Sequence, residues 1–354
     1  MTASNPCAPA PAISVAMSVY NGERFLALAI ESVLGQTFGD FEFLVLDDGS
    51  ADRTRAIIEH YAARDARIRP IFRENRGLIA SLNQLLAESR APLVARMDAD
   101  DVCHPQRFER QLDFLAAHPD YGVVGSRCED IDEDGGPWPI PAVAHPLTHE
   151  DFLVAIEQGM PLLCHPSVMM RRAVALQVGG YHPAFQHCED LDLWLRLSDV
   201  TRLGNLPDRL LRYRHYAGQV SSRHATLQQT NATIAKLAWR ERKAGRPDPT
   251  VGVAMLPDTN GLDALFGRAG VGREVRARVA PSLKYSEAGL RDAGFDLILQ
   301  HLDEGGSREG MWRTVARLLR IGEPRRALRL ARTLALTRRA PAADAACAAK
   351  ALPA

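Results

Sequence analysis

The residues best able to do chemistry in this 354-residue chain are carboxylates gathered at three places. Asp98-Ala99-Asp100-Asp101 packs three acids into four positions, directly after the apolar run Leu93-Val94-Ala95. Like charges this close cost electrostatic free energy unless a cation or hydrogen-bond donors offset it. Hard divalent cations prefer oxygen ligands, so the cluster reads as a cation site whose cation grips a diphosphate. An EF-hand is disfavoured, because the glycine it needs at the sixth loop position is Cys103 here. Asp48 closes a second apolar run, Phe41–Leu46, and precedes Gly49-Ser50. Glu189-Asp190 heads a third stretch, in which Leu193, Trp194 and Leu197 recur at helical spacing.

These acids need strands and helices to present them. Ile13–Tyr20, Phe41–Leu46, Ile68–Phe72 and Leu93–Met97 read as strands. The segments 24–34, 53–63, 78–89 and one beginning near Pro105 read as the helices between and after them. Four strand–helix units in about 120 residues imply right-handed crossovers and a parallel sheet covered on both faces. In such sheets ligands bind at the carboxyl edge, where Asp48 and Asp98–Asp101 fall. After Tyr121–Ser126 the rhythm changes. A turn at Asp134–Pro137 opens a longer irregular stretch, with a short strand expected at Ser167–Met170, helices at 173–178 and 189–197, and a last strand at Leu210–Tyr213. From about Thr226 the chain is Ala/Leu/Arg-rich and helical.

Composition narrows the class. With 46% hydrophobic and 24% charged residues, the chain has room for one large α/β domain and a smaller one. The net charge is zero but unevenly spread. Residues 223–354 hold 23 Lys+Arg against 13 Asp+Glu, and residues 1–222 hold 20 against 30. The six cysteines form no C-x-x-C pair, which argues against a disulfide framework or structural zinc and fits a reducing cytoplasm. No Lys or Arg precedes Arg24, so no secretory signal is expected, and no uncharged apolar run reaches the roughly 18 residues of a membrane span.

Residues 13–222 resemble an inverting family-2 glycosyltransferase with the GT-A fold. The resemblance rests on seven features in order: Ser18-Val19-Tyr20-Asn21, Leu46-Asp47-Asp48-Gly49-Ser50, Asn75-Arg76-Gly77, Asp98-Ala99-Asp100-Asp101, His165-Pro166-Ser167-Val168, Glu189–Arg196 and Tyr213-Arg214-His215. It implies a Rossmann-like, mostly parallel sheet flanked by helices, followed by a smaller all-α C-terminal region. The expected division is a loose tail at 1–12, the transferase domain at 13–225, a helical region at 226–340 and a disordered tail at 341–354.

The resemblance also implies roles. Asp100 is the direct ligand of Mn²⁺ or Mg²⁺, Asp98 contacts the ribose or metal-bound water, Asp101 is a nearby alternative ligand, and His215 adds a nitrogen ligand. Asp48 reads the base, which favours a UDP- or dTDP-sugar. Tyr20 packs on that base, Ser18 and Asn21 line the pocket, and Glu23 and Arg76 belong to the nucleotide site. Arg212 and Arg214 could contact the diphosphate. Asp190 takes the proton of the acceptor hydroxyl, with Glu189 as its orienting neighbour, and Trp194 is core. The donor is a nucleotide-sugar and the acceptor a saccharide or lipid-linked glycan, in polysaccharide or cell-surface glycan assembly on the cytoplasmic side.

Other readings are weaker. A sugar-nucleotide nucleotidyltransferase needs a Gly-rich phosphate loop after the first strand, and Asn21-Gly22-Glu23 is too short. A dehydrogenase lacks its G-x-G-x-x-G there. A silent carbohydrate-binding or scaffold protein on the same fold would have little need of Asp48, Asp100 and Asp190 together. The basic C-terminal helices could dock on an anionic membrane; solvated arginines covering a helical core are the favoured reading. Nucleic acid is not expected as a partner, since no aromatic platform accompanies the charge.

Overall fold

The computed structural model describes residues 10–140, 144–216 and 224–336. Most of the expected N-terminal tail, residues 1–9, and the whole of the C-terminal tail at 341–354 lie outside the described residues. The chain divides into two compact units. The first comprises residues 1–219 with 238–247, and the second 220–237 with 248–354.

The first unit is built on one eight-stranded sheet: β1 (Ile13–Val19), β2 (Phe41–Asp47), β3 (Ile68–Phe72), β4 (Leu93–Asp98), β5 (Val102–Cys103), β6 (Tyr121–Ile131), β7 (Met169–Arg171) and β8 (Arg202–Arg214). Their order across the sheet is β3-β2-β1-β4-β7-β6-β8-β5. The β3-β2-β1-β4 half is parallel, as is β6 with β8, whereas β7 runs antiparallel to both its neighbours and β5 antiparallel to β8. Helices α1 (Leu26–Leu34), α2 (Thr54–Ala62), α3 (Leu78–Glu88) and α4 (Arg107–Ala117) follow the first four parallel strands. With helices on both faces, β2 is buried at all seven positions, which is why it is apolar from Phe43 to Leu46 without alternating. Ile13, Val15, Met17, Phe43, Val45, Ala95, Ile30 and Phe108 form the centre of that core.

Two segments differ from expectation. The stretch after Pro137 contains a helix, α5 (His149–Gln158), capped by a reciprocal pair in which Thr148 Oγ1 accepts from the Asp151 N–H. The last strand is far longer than Leu210–Tyr213. β8 follows β6 from Tyr121/Arg202 to Ile131/Arg214, and Pro207-Asp208 fall in a register shift between Ser126/Leu206 and Arg127/Arg209. Proline has no N–H to donate, so it breaks the sequence pattern while the strand continues on either side. Helices α6 (Arg172–Gln177) and α7 (Glu189–Leu197) lie where the apolar spacing puts them.

The second unit is all-helical among the described residues. The helix α8 (Ala225–Lys243) contributes to both units, and α9 (Leu262–Phe266), α10 (Val271–Leu283), α11 (Glu287–Arg291), α12 (Gly294–Asp303), α13 (Met311–Arg320) and α14 (Pro324–Leu336) belong to the second. Val275, Val279, Leu283, Phe295, Ile298, Leu302, Leu318 and Leu330 make its core.

Glu42 ties the sheet together away from its carboxyl edge. It is buried and accepts from Ser14 Oγ (2.6 Å), Arg69 Nη1 (2.6 Å), Arg90 Nε (2.7 Å) and the Arg90 N–H (2.7 Å). Burial raises its carboxyl, but these donors outweigh it and hold the group below the ordinary glutamate value. A depressed folded-state value adds stability above the unfolded value, which is lost as pH falls through the folded one. Glu42→Gln is therefore expected to cost about 1–3 kcal/mol at neutral pH. It should also flatten the loss of stability between about pH 5 and pH 3. Urea titrations across that range check it, and an acid limb unchanged in the variant would refute it.

Candidate active site

Register sets the site. β1 pairs β4 with Ser18 beside Asp98, and β2 with Val19 beside Asp47, so Tyr20, Asp48 and Asp98 leave the sheet along one edge. β5 then pairs Val102 with Arg212 of β8, which brings Arg214 and Tyr216 against the acidic turn.

Asp98, Asp100 and Asp101 offer oxygens that all lie within 4.8 Å of one another. Asp101 is 1% exposed. Its Oδ1 accepts from the Arg214 N–H at 2.8 Å, and its Oδ2 is buried with no hydrogen-bond partner. Asp100 Oδ2 accepts from Tyr216 Oη at 3.0 Å. Burial and the neighbouring carboxylates push Asp100 up to about 6 and Asp101 well above the usual range. An orphaned buried oxygen, hard donors and crowded negative charge all fit a divalent cation.

His215 is not brought into that group. Its Nε2 meets Asp130 Oδ1 at 2.7 Å, and its ring stacks on Trp138 with centroids 4.7 Å apart. Arg214 braces the acidic turn, with Nε to the Asp100 carbonyl (2.8 Å) and Nη1 to those of Asp132 and Glu133. Arg212 donates to the Gly135 carbonyl at 2.7 Å.

Asp48 is 2% exposed and largely engaged. Its Oδ1 accepts from Arg73 Nε (2.9 Å) and the Arg76 N–H (3.0 Å), its Oδ2 accepts from the Gly77 N–H (2.8 Å), and the Arg73 guanidinium forms an ion pair with it at 2.7 Å. Asp48 thus holds the Asn75–Gly77 turn in place, and Oδ2 keeps one lone pair for a further donor. The Arg76 side chain is exposed, as is Tyr20. The loop after β1 is laced to the loop after β2. Ser50 Oγ accepts from the Asn21 N–H, Asn21 Oδ1 from the Ala51 N–H, and Glu23 Oε2 from the Arg53 N–H. Asn21 and Glu23 therefore build the edge of the candidate pocket through the backbone of their neighbour.

Glu189 and Asp190 begin α7, where the helix dipole favours negative charge. Burial and Asp190 push Glu189 up to about 7. Burial also raises Asp190, whose Oδ1 accepts from the Leu191 N–H at 2.7 Å. The Asp98 charge contributes to both shifts, so the turn after β4 and the start of α7 share one field. Behind them, His165 Nε2 pairs with Tyr181 Oη at 2.9 Å, and burial with the nearby Arg96 charge drives the His165 ring well below its usual value. Trp194 is 1% exposed and packs edge-on to His165.

Arg96 is the residue that motif reading misses. It is buried and ion-pairs with Asp98. Its charge also acts on Asp100, Glu189 and Asp190. The signal was there: a lone arginine inside an apolar strand, two residues before Asp98 and so on the same face.

Known proteins are similar to this chain in sequence and fold. Residues 14–179 match the model of the glycosyl transferase family 2. The glycosyltransferase EpsE of Bacillus subtilis is 36% identical over 240 residues, covering 66% of this chain and 84% of the relative. This chain belongs to glycosyl transferase family 2. The O-antigen biosynthesis glycosyltransferase WbnJ of Escherichia coli is 31% identical over 209 residues, 57% of this chain and 79% of WbnJ. The amylovoran biosynthesis glycosyltransferase AmsE of Erwinia amylovora is 30% identical over 217 residues, 59% of this chain and 79% of AmsE. In fold, the chain resembles S. aureus TarS 1–349 in complex with UDP-GlcNAc, with a TM-score of 0.53 at 16% identity over 91% of each chain. It also resembles the mannosyltransferase PcManGT of Pyrobaculum calidifontis in complex with GDP-Man and Mn²⁺, with a TM-score of 0.50 at 15% identity over 93% of this chain and 88% of PcManGT. These neighbours bear out the GT-A-like sheet with its helical C-terminal region.

Two glycines separate crowding from backbone strain at this edge. Gly49 has φ +80°, and a Cβ there would lie 2.7 Å from the Asn75 backbone nitrogen; Gly77 has φ +86° with open space around it. With ψ 164° as well, Gly77 lies in a region that essentially only glycine adopts, so Gly77→Ala should cost about 1–3 kcal/mol from conformation alone. Gly49→Ala should cost more than Gly77→Ala, because the 75–77 turn must also move off Asp48. Denaturant midpoints of the two variants decide it; equal losses would show that the turn yields freely.

Proposed function

We propose that this glycosyltransferase moves a sugar, with inversion, from a UDP- or dTDP-sugar to a hydroxyl of a saccharide or lipid-linked acceptor. The carrying observation is that Asp98, whose carboxylate groups with those of Asp100 and Asp101, also acts electrostatically on Asp190 at the start of α7. Asp100, Asp101 and Asp98 are the residues that would hold Mn²⁺ or Mg²⁺. Bound there, the cation would offset the negative charge that grows on the diphosphate as it leaves. In this reading Asp190 accepts the proton of the acceptor hydroxyl as that oxygen attacks the anomeric carbon from the face opposite the leaving group. A single displacement inverts the centre, and no bond to the enzyme forms.

The pyrimidine assignment rests on the free lone pair of Asp48 Oδ2, suited to the N3–H of uracil or thymine, with exposed Tyr20 as the stacking surface. Ser18, Asn21, Glu23 and Arg76 complete that pocket. A UDP-GlcNAc complex of a fold neighbour supports this choice, and the GDP-Man complex of another is the competing case. His215 serves as a metal ligand only if its ring leaves Asp130. WbnJ and AmsE, named for O-antigen and amylovoran biosynthesis, support a role in polysaccharide or cell-surface glycan assembly. Such donors are cytoplasmic, and we place the reaction on that side, with the transferase domain spanning 13–225 and a helical region 226–340. No helix among the described residues is long and apolar enough to cross a membrane.

Two experiments test this reading. UDP with Mn²⁺ should raise the melting temperature more than either alone, because the cation bridges carboxylates and diphosphate. An equal rise with GDP would refute the base assignment. Asp190→Asn should keep the UDP-dependent shift while transfer falls by about 10²–10⁴-fold. Transfer at the wild-type rate would put the base elsewhere.

A further inference from the structure

The helical unit holds a basic cavity that sugar transfer does not use. It measures about 290 Å³, and Lys284, Tyr285, Arg313, Thr314, Arg317 and Arg320 line it, with no acidic side chain among the lining residues. Arg313, Arg317 and Arg320 stand at i, i+4 and i+7, on one face of α13. Among the described residues none of the three meets a carboxylate, and Arg317 Nε is buried with no hydrogen-bond partner. Lys284, the fourth cation, is fixed by its Nζ to the Glu309 carbonyl at 3.1 Å.

Nearby arginines are treated differently. Arg326 pairs with Glu323 and donates to the carbonyls of Leu290 and Asp292, Arg329 pairs with Asp296 at 3.0 Å, and Arg291 pairs with Glu287 at 3.0 Å. These three arginines are thus paired within the unit, whereas Arg313, Arg317 and Arg320 line one cavity that has no carboxylate among its lining residues. Three arginines along one cavity and an unsatisfied buried donor both favour an oxyanion, and guanidinium groups suit phosphate.

The flank of the cavity says what carries that phosphate. One residue round from the arginine stripe, Trp312, Ala316 and Leu319 form a second stripe, and Trp312 and Leu319 are each 58% exposed. A free phosphate has no use for exposed tryptophan and leucine. A lipid surface has, since tryptophan settles at headgroup depth and leucine in the acyl boundary.

We propose that this cavity binds the phosphate of an anionic phospholipid headgroup, with Trp312 and Leu319 entering the bilayer interface beside it. The full chain should co-sediment with vesicles of equal parts phosphatidylglycerol and phosphatidylcholine, more weakly at high salt, and not with phosphatidylcholine alone. Arg313→Gln/Arg317→Gln/Arg320→Gln should lose that binding on the order of a hundredfold. Trp312→Ser/Leu319→Ser should also lose it while retaining affinity for inorganic pyrophosphate, read by calorimetry. The UDP-dependent melting shift reports folding in each variant, and the single Arg317→Gln, expected to weaken vesicle binding about fivefold, serves if a multiple variant fails to fold. Pyrophosphate binding without vesicle binding would overturn the proposal. So would equal binding to both vesicle types, binding unaffected in the variants, or a concentration-dependent dimer that Trp312→Ser/Leu319→Ser abolishes while vesicle binding persists.

Discussion

One buried guanidinium governs the active-site edge. Arg96 sits in the middle of β4 and faces Asp98, with Asp100, Asp101, Glu189 and Asp190 within reach of its charge. One cation cannot balance five carboxylates in a site that is largely buried. The fold therefore supplies smaller donors: the Arg214 N–H to Asp101, Tyr216 Oη to Asp100, the Leu191 N–H to Asp190, and the start of α7 for the acidic pair. The raised carboxyls record what is left over. A second buried arginine, Arg107, donates to the carbonyls of Arg96 and Val168, so the backbone beneath Arg96 is itself held. Residual negative charge of this kind suits a divalent cation, and the buried guanidinium offsets part of it.

The other half of the edge is neutralised locally instead. Asp48 meets Arg73 and two backbone N–H groups, and the loops after β1 and β2 share hydrogen bonds through Asn21, Glu23, Ser50 and Asp52. This side is preorganised, with most of its polar groups already satisfied. A nucleotide would meet a finished surface there and an unfinished one at the aspartate cluster.

Much of this was legible in the sequence. Apolar runs followed by acids, as in β2 and β4, marked the parallel strands and their carboxyl edge, because strands covered on both faces need not alternate. What escaped was non-local. Nothing in Tyr213-Arg214-His215 tells that Arg214 braces the acidic turn while His215 turns to Asp130 and Trp138. Pro207-Asp208 hid the length of β8, because a register shift absorbs them only once β6 is beside them. The Thr148/Asp151 capping box was readable and marks the helix missed after Pro137. The arginines of the last two helices looked alike, and only the fold tells Arg326 and Arg329, which meet carboxylates, from Arg313, Arg317 and Arg320, which line one cavity.

Environment also separates the two acids at the start of α7. Glu189 is pushed up to about 7, which alone would make it the better proton acceptor. But it is 7% exposed, the more covered of the two acids. Asp190 is half-buried, raised in the same direction, and ties one oxygen to the N–H of Leu191 in its own helix. A proton taken by Asp190 would add positive charge to the same field that Arg96 now carries alone. Proton uptake there and charge growth on a leaving diphosphate near Asp98 would then favour each other across the pocket. That coupling is a physical reason for one fold to keep both acid clusters around a single arginine.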